Sequence, residues 1–369
     1  LANDPTNLAG IEAIAGGSGN DTIRLTSGDD ALDLSAIAVS GVELIDAQAG
    51  NDTVTGSAGA DIIRGGAGND VIDGGDGDDT FTIVGGAEGS DVFRGGGGFD
   101  TILGSAYNDI IGLANDPTNL AGIEAISGGS GNDTIRLTSG DDTLDLSAIA
   151  VSGVELIDAQ AGNDTVTGSA GADIIRGGAG NDVIDGGDGD DTLTIVGGAE
   201  GFDVFRGGGG FDTILGSAYN DIIGLANDPT NLAGIEAISG GSGNDTIRLT
   251  SGDDALDLSA IAVSGVELID AQAGNDTVTG SAGADIIRGG AGADTFVFAA
   301  GFGHDIVTDF SVSDGDLIDL TSAAFIDFAD LLAHSTQVGA DLLISVDAGQ
   351  SLTLQNMTIA ALSSDNVLL

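Results

Sequence analysis

The segment LANDPTNLAGIEAI occurs three times, starting at Leu1, Leu113 and Leu225, so the chain carries a 112-residue period. Residues 1–112 and 113–224 differ at only four positions: Ala15/Ser127, Ala31/Thr143, Phe81/Leu193 and Ser90/Phe202. The third copy follows the pattern to Gly292 and then diverges. Inside each copy lies a shorter, nine-residue repeat. Residues 56–82 read GSAGADIIR, GGAGNDVID and GGDGDDTFT without a break, and the same frame holds at 16–24, 47–55, 95–103 and 104–112. No single unit of this size can bury an apolar face alone, so the chain is restricted to stacked, solenoid-like architectures.

The residue types explain the unit. Gly at positions 1, 2 and 4 permits left-handed backbone, so a tight loop can aim several carbonyls at one point. Asp at position 6 adds a carboxylate there. Positions 7–9 form a short strand whose central residue points inward while its flanks point out. Ile23, Val54, Ile63, Ile72 and Phe81 are thereby expected to line a narrow core, with Arg24 and Arg64 facing water. Two stretches break the frame, LSAIAVSGVELID (34–46) and the linker 113–127; a third, IVGGAEGSDVFR (83–94), reads as a lengthened unit. Ile37, Val39 and Leu44 suggest strands that continue the stack without a loop site, and Glu12, Glu43, Glu88 and their equivalents are placed on strand or loop faces.

Charge then narrows the partners. The chain has 59 acidic and 8 basic residues, all of the latter Arg, for a formal net charge of -51. That balance disfavours nucleic acid and anionic membrane, which need basic surface. Yet 41% of residues are hydrophobic, too many for an acidic disordered tail. The chain can bury apolar surface if a multivalent cation neutralises the acid. Absence of Cys removes disulfides, thiolate metal sites and Cys nucleophiles together. No apolar stretch approaches the ~18 residues of a spanning helix, so membrane insertion is not expected. A Sec-type leader is not visible, and a start at Leu1 reads as a fragment or processed piece. No GxSxG elbow, HExxH or P-loop is present, so no catalytic site is expected. His304 and His334 have no partner histidine nearby in sequence.

In these residues the chain resembles the RTX calcium-binding repeat family, through tandem GGxGxD units at 47–82 and again at 159–194. The resemblance implies an all-β, right-handed parallel β-roll with two units per turn and Ca2+ between loops of successive turns. Carried over position by position, the implied ligands are Asp21, Asp52, Asp61, Asp70, Asp79, Asp100 and Asp109 in the first copy. In the second they are Asp133, Asp164, Asp173, Asp182, Asp191, Asp212 and Asp221, and in the third Asp245, Asp276, Asp285 and Asp294. The pattern departs at Tyr107 and Tyr219, which replace the position-4 Gly, and at 25–33, which lacks both leading glycines; Asp91 and Asp203 lie in lengthened units.

The implied organisation is copy 1 at 1–112, copy 2 at 113–224, a partial copy at 225–292, and a β-rich capping and secretion-signal segment at 293–369. The last segment holds six of the twelve Phe, and its end, SSDNVLL, resembles the C-terminal signal of type I secretion. An exporter, calcium and a surface or matrix component are the expected partners. The expected role is an extracellular stalk or adhesin-like region of a bacterium that folds on calcium. The alternative is a non-catalytic export module of a larger secreted enzyme; a third class, binding through a flat Thr face, conflicts with the mixed outward residues.

Overall fold

The computed structural model describes residue 1 and residues 8–369, so the opening of the first copy, residues 2–7, lies outside the described residues. Two compact units are present, one of Leu1–Gly177 with Gly186–Gly189, the other of Gly178–Asp185 with Asp190–Leu369. Each is a parallel β-roll built from strands of mostly three residues.

In the first unit, Thr22–Arg24, Leu44–Asp46, Ile62–Arg64, Thr80–Thr82, Thr101–Leu103, Ala125–Ser127 and Ala150–Ser152 stack in that order as one parallel sheet. Ala31–Asp33, Thr53–Thr55, Val71–Asp76 and Val92–Gly97 form a second. The register sets like residue on like: Ile45 pairs with Ile63, Ile63 with Phe81, and Phe81 with Ile102. These central residues are fully buried, as are Val54 and Ile72, with Ile23 nearly so. Their neighbours in each strand point outward, which is the period-2 alternation of a strand buried on one face. The second copy's Leu193 is as buried as Phe81, so the substitution keeps the core filled.

Where two plain nonapeptides abut, one turn takes eighteen residues, as from Ile45 to Ile63 and from Val54 to Ile72. The interrupted stretch makes a longer turn. Between Thr22 and its partner Leu44 lie two strands, Ala31–Asp33 and Ala38–Ser40, so LSAIAVSGVELID adds a third side to the roll. The strands after it return to their own sheets, and the phase changes only at the lengthened unit, where Gly86–Ala87 opens a new sheet that Asp109–Gly112 continues. Thr134–Arg136, the equivalent of Thr22–Arg24, pairs with Asp109–Gly112 and Leu156–Asp158 in a different sheet. Sheet pairing meanwhile passes straight over residues 112 and 113, since Thr101–Leu103 pairs with Ala125–Ser127.

In the second unit the same sequence makes the same pairs, for example Thr246–Arg248 with Leu268–Asp270 and Thr277–Thr279 with Thr295–Val297. Its end differs. Ser351–Leu354 adds in parallel to His304–Val307, and Asp341–Ser345 and Ser335–Val338 then run antiparallel. Reversed strands present the wrong hydrogen-bond pattern for another nonapeptide, so they close that sheet. Phe296 packs on Phe310 and Phe298 on Phe302, with ring centroids 6.2 and 5.1 Å apart. Among the described residues the one α-helix is Phe328–Ala333, capped by the Asp327 carboxylate. No described helix is long and apolar enough to cross a membrane.

Outward Arg side chains are less free than the sequence implied. Arg24 reaches Asp46 at 3.2 Å on the next turn, Arg288 reaches Asp270 at 2.9 Å, and Arg64 bridges to Glu88 at 3.1 Å. For the first two, strand register puts the opposite charges side by side along the sheet.

Candidate metal centre

The position-6 aspartates stack in rows, because each precedes or opens a strand and the strands are in register. Within a row, one oxygen of an acid accepts the backbone N–H of the Asp one turn earlier. In the first unit a row runs Asp30, Asp52, Asp70, Asp91, with N–H to Oδ1 distances of 2.7, 2.8 and 2.8 Å. Another runs Asp61, Asp79, Asp100, Glu124. Asp21 donates to Glu43, Asp109 to Asp133, Asp133 to Glu155, and Asp142 to Asp164. Asp173 accepts from Ser169. In the second unit the rows are Asp182 to Asp203; Asp191 to Asp212 to Glu236; and Asp221 to Asp245 to Glu267. Asp254 leads to Asp276, Asp294 and Asp316, and Asp285 to Asp305.

Several row members fall outside the nonapeptide frame. Asp30, Asp142 and Asp254 belong to units without leading glycines, Asp91 and Asp203 to lengthened units, and Asp305 and Asp316 to the closing segment. Glu43, Glu124 and their equivalents, expected merely on strand or loop faces, take the place of Asp in the rows. The sequence signal available for them was spacing: each except Asp305 immediately precedes a strand, as the position-6 Asp does.

The rows are buried and carry one sign of charge. Asp52, Asp70 and Asp79 are 1% exposed and Asp100 is fully buried. Burial pushes Asp70 and Asp79 up to about 6, with neighbouring carboxylates adding to the effect and the row hydrogen bonds opposing it. Asp276 also rises to about 6, Asp91 and Asp203 to about 7, and Asp305 to about 8, each chiefly by desolvation.

One oxygen of each acid that follows another in its row is thus engaged by the backbone, and the other decides what the row can hold. The Oδ2 atoms of Asp21, Asp52, Asp70, Asp79, Asp100, Asp133, Asp212, Asp245, Asp276 and Asp305 are buried and accept no hydrogen bond. A buried carboxylate oxygen with no donor is costly, and a cation is the partner that satisfies it. The surroundings suit an oxygen-seeking ion. Gly66 and Gly68 adopt φ of +92° and +136°, and a Cβ on either would fall onto the backbone carbonyl of the turn before, at Gln48 and Gly50. A Cβ on Gly65, Gly74 or Gly95 would collide with the open oxygen of Asp70, Asp79 or Asp100. Glycine therefore keeps free the space beside each carboxylate and lets carbonyls of successive turns approach it. Among the described residues no three His, Asp or Glu side chains converge as a cage. An ion here would draw on one carboxylate per loop together with backbone carbonyls, a donor set that fits Ca2+.

The two histidines lie in the closing segment and face ordinary partners: His304 Nδ1 is 2.9 Å from Ser351 Oγ, and His334 packs edge-on against Phe325.

Comparison with known proteins agrees with the loop geometry. The RTX calcium-binding nonapeptide repeat (4 copies) matches residues 7–36, 46–81, 85–114, 119–148, 158–193, 197–225, 231–260, 261–296 and 270–307. No curated protein matches the sequence. Among solved structures, the extracellular lipase LipA from Serratia marcescens aligns at 16% identity over 95% of this chain and 45% of that one, with a TM-score of 0.23. The chain thus spans less than half of that lipase, in a likeness too loose to bear on fold or activity. With repeat matches over most of its length and rows of loop aspartates in register, the chain belongs to the RTX calcium-binding repeat family.

Proposed function

We propose that this region is an extracellular, non-catalytic stalk that leaves a bacterium unfolded through a type I exporter and folds when it meets calcium. The observation that carries the reading is the row of buried carboxylates whose second oxygens have no hydrogen-bond donor. Bound calcium would supply the positive charge and the oxygen coordination these rows lack. The position-6 aspartates would present Oδ2, the glycine loops would present carbonyls, and the row hydrogen bonds would hold each carboxylate at a fixed height on the roll.

Without the ion, the formal charge of -51 and 65 glycines both favour an expanded chain. Binding free energy then acts as folding free energy. Near-identical 112-residue copies support a stalk, since length grows by whole modules. The antiparallel end after His304 supports a cap for residues 293–369, which in this reading also carries the export signal.

The test is far-UV circular dichroism of chelator-stripped protein titrated with calcium, with magnesium as control. The expected result is a cooperative rise in β structure specific to calcium. Full β structure in chelator would sink the proposal.

A further inference from the structure

The loops fall into two conformational classes. In the ten units that begin Gly-Gly, positions 2 and 4 both have positive φ, as at Gly75 (+100°) and Gly77 (+122°). The three units that begin Ala-Gln behave alike: Gln48 is held at +79° and Gly50 at +125°. In the eight units with Ser or Thr at position 2, neither position is left-handed; Ser57, Gly59, Ser105, Tyr107, Thr26 and Gly28 all keep negative or extended φ.

The carboxylate follows the backbone. In the Ser and Thr units, position 2 donates to the position-6 carboxylate four residues on, in most cases through both its N–H and its hydroxyl. Ser57 donates to Asp61 Oδ2 at 2.6 and 2.9 Å, Thr26 to Asp30 Oδ2 at 2.7 Å twice, and Ser281 to the Oδ2 of Asp285 at 2.7 and 3.0 Å. Ser105 and Ser217 hold Asp109 and Asp221 in the same way. None of these Oδ2 atoms is among the open ones, although Asp30 keeps an open Oδ1; the Oδ2 atoms of Asp70, Asp79 and Asp100 in the Gly-Gly units are open.

We infer that the residue at position 2 decides whether a loop takes calcium: Gly or Gln leaves the carboxylate oxygen to the cation, and Ser or Thr occupies it and closes the loop without metal. This rests on the calcium reading above and narrows it. Asp61, Asp109, Asp173, Asp221 and Asp285 then serve the fold rather than the ion, and calcium goes to the other thirteen position-6 aspartates. Open loops also stack as neighbours along a row, Asp52 on Asp70 and Asp79 on Asp100. Each of these pairs brings two open carboxylates and two loops of the left-handed class to one ion.

The experiment counts calcium bound to the whole folded chain by equilibrium dialysis with elemental analysis, for wild type and two sets of variants. One set is Asp61→Asn, Asp173→Asn and Asp285→Asn together; the amide oxygen still accepts from Ser. The other is Asp70→Asn, Asp79→Asn and Asp276→Asn together. The expected result is an unchanged count in the first set and a loss of two or more ions in the second. An equal loss in both sets overturns the partition while leaving the calcium reading intact; no calcium on wild type overturns both. Should an Asn set fail to fold, Ser57→Ala, Ser169→Ala and Ser281→Ala together replace it. That chain is expected to melt at lower temperature with its calcium count unchanged, and a fallen count overturns the partition.

Discussion

An aspartate that follows another in its row meets two demands with two oxygens: Oδ1 accepts a backbone N–H, and Oδ2 faces either a position-2 hydroxyl residue or open space. Burial of the rows has a pH signature. Asp70, Asp79 and Asp276 titrate near 6, Asp91 and Asp203 near 7 and Asp305 near 8 when folded, against about 4 for an unfolded carboxylate. The folded chain therefore binds these protons more tightly. Stability from them is fully present below about pH 4 and is lost as pH rises through the 6–8 window. In chelator, β structure is expected to increase from pH 8 to pH 5, measured by circular dichroism; a flat or falling signal would contradict the burial of the rows. With calcium the trend reverses, because protons compete for the same oxygens, so the calcium concentration at the folding midpoint is expected to rise as pH falls. The position-6 Asp series was legible in sequence from its fixed frame. The roles of Glu43, Glu124, Asp91 and Asp305 were not, because their loops differ in length and only strand register sets them into a row. Likewise, Ser57 and Gly66 occupy the same position of the motif, and the difference between them shows only in the hydrogen bonds and φ angles.

At the scale of one turn, the fold depends on backbone approaching backbone. Position-4 glycines stack on one another, so Gly68 lies against the Gly50 carbonyl, and Gly89 of the lengthened unit lies against that of Gly68. A Gly68→Ala chain meets both a left-handed φ and a carbonyl where its methyl group belongs. The expected cost is ~1–3 kcal/mol of stability, together with a higher calcium midpoint, measured by urea melts at fixed calcium. Gly59→Ala, in a Ser unit, has no left-handed φ and has room at Cβ; its effect is expected to be small. Inward strand residues were readable from alternation alone. The third side contributed by LSAIAVSGVELID was not. Its strands could be seen in Val39 and Leu44, but whether they lengthen a turn or begin a new one depends on pairing 22 residues away.

For the whole chain, the 112-residue period of the sequence is not the period of the surface. Because the lengthened unit opens a new sheet at Gly86–Ala87 that later strands join, the stretch TIR at 22–24 and its copy at 134–136 lie in different sheets. A partner that reads one face therefore meets a given motif in one copy and a different motif at the matching place in the next. Growth and shrinkage of the gene obey another rule. Removal of residues 113–224 joins Gly112 to Leu225, the same dipeptide and the same neighbours as Gly112 and Leu113. The shortened chain is expected to fold on calcium with a midpoint close to the parent's and fewer ions per molecule, as read by circular dichroism and dialysis. A cut of roughly 100 residues at the same place, short of the full period, would misalign every row beyond it. Recombination between copies can thus reset the reach of the protein in whole-module steps without disturbing a single carboxylate row.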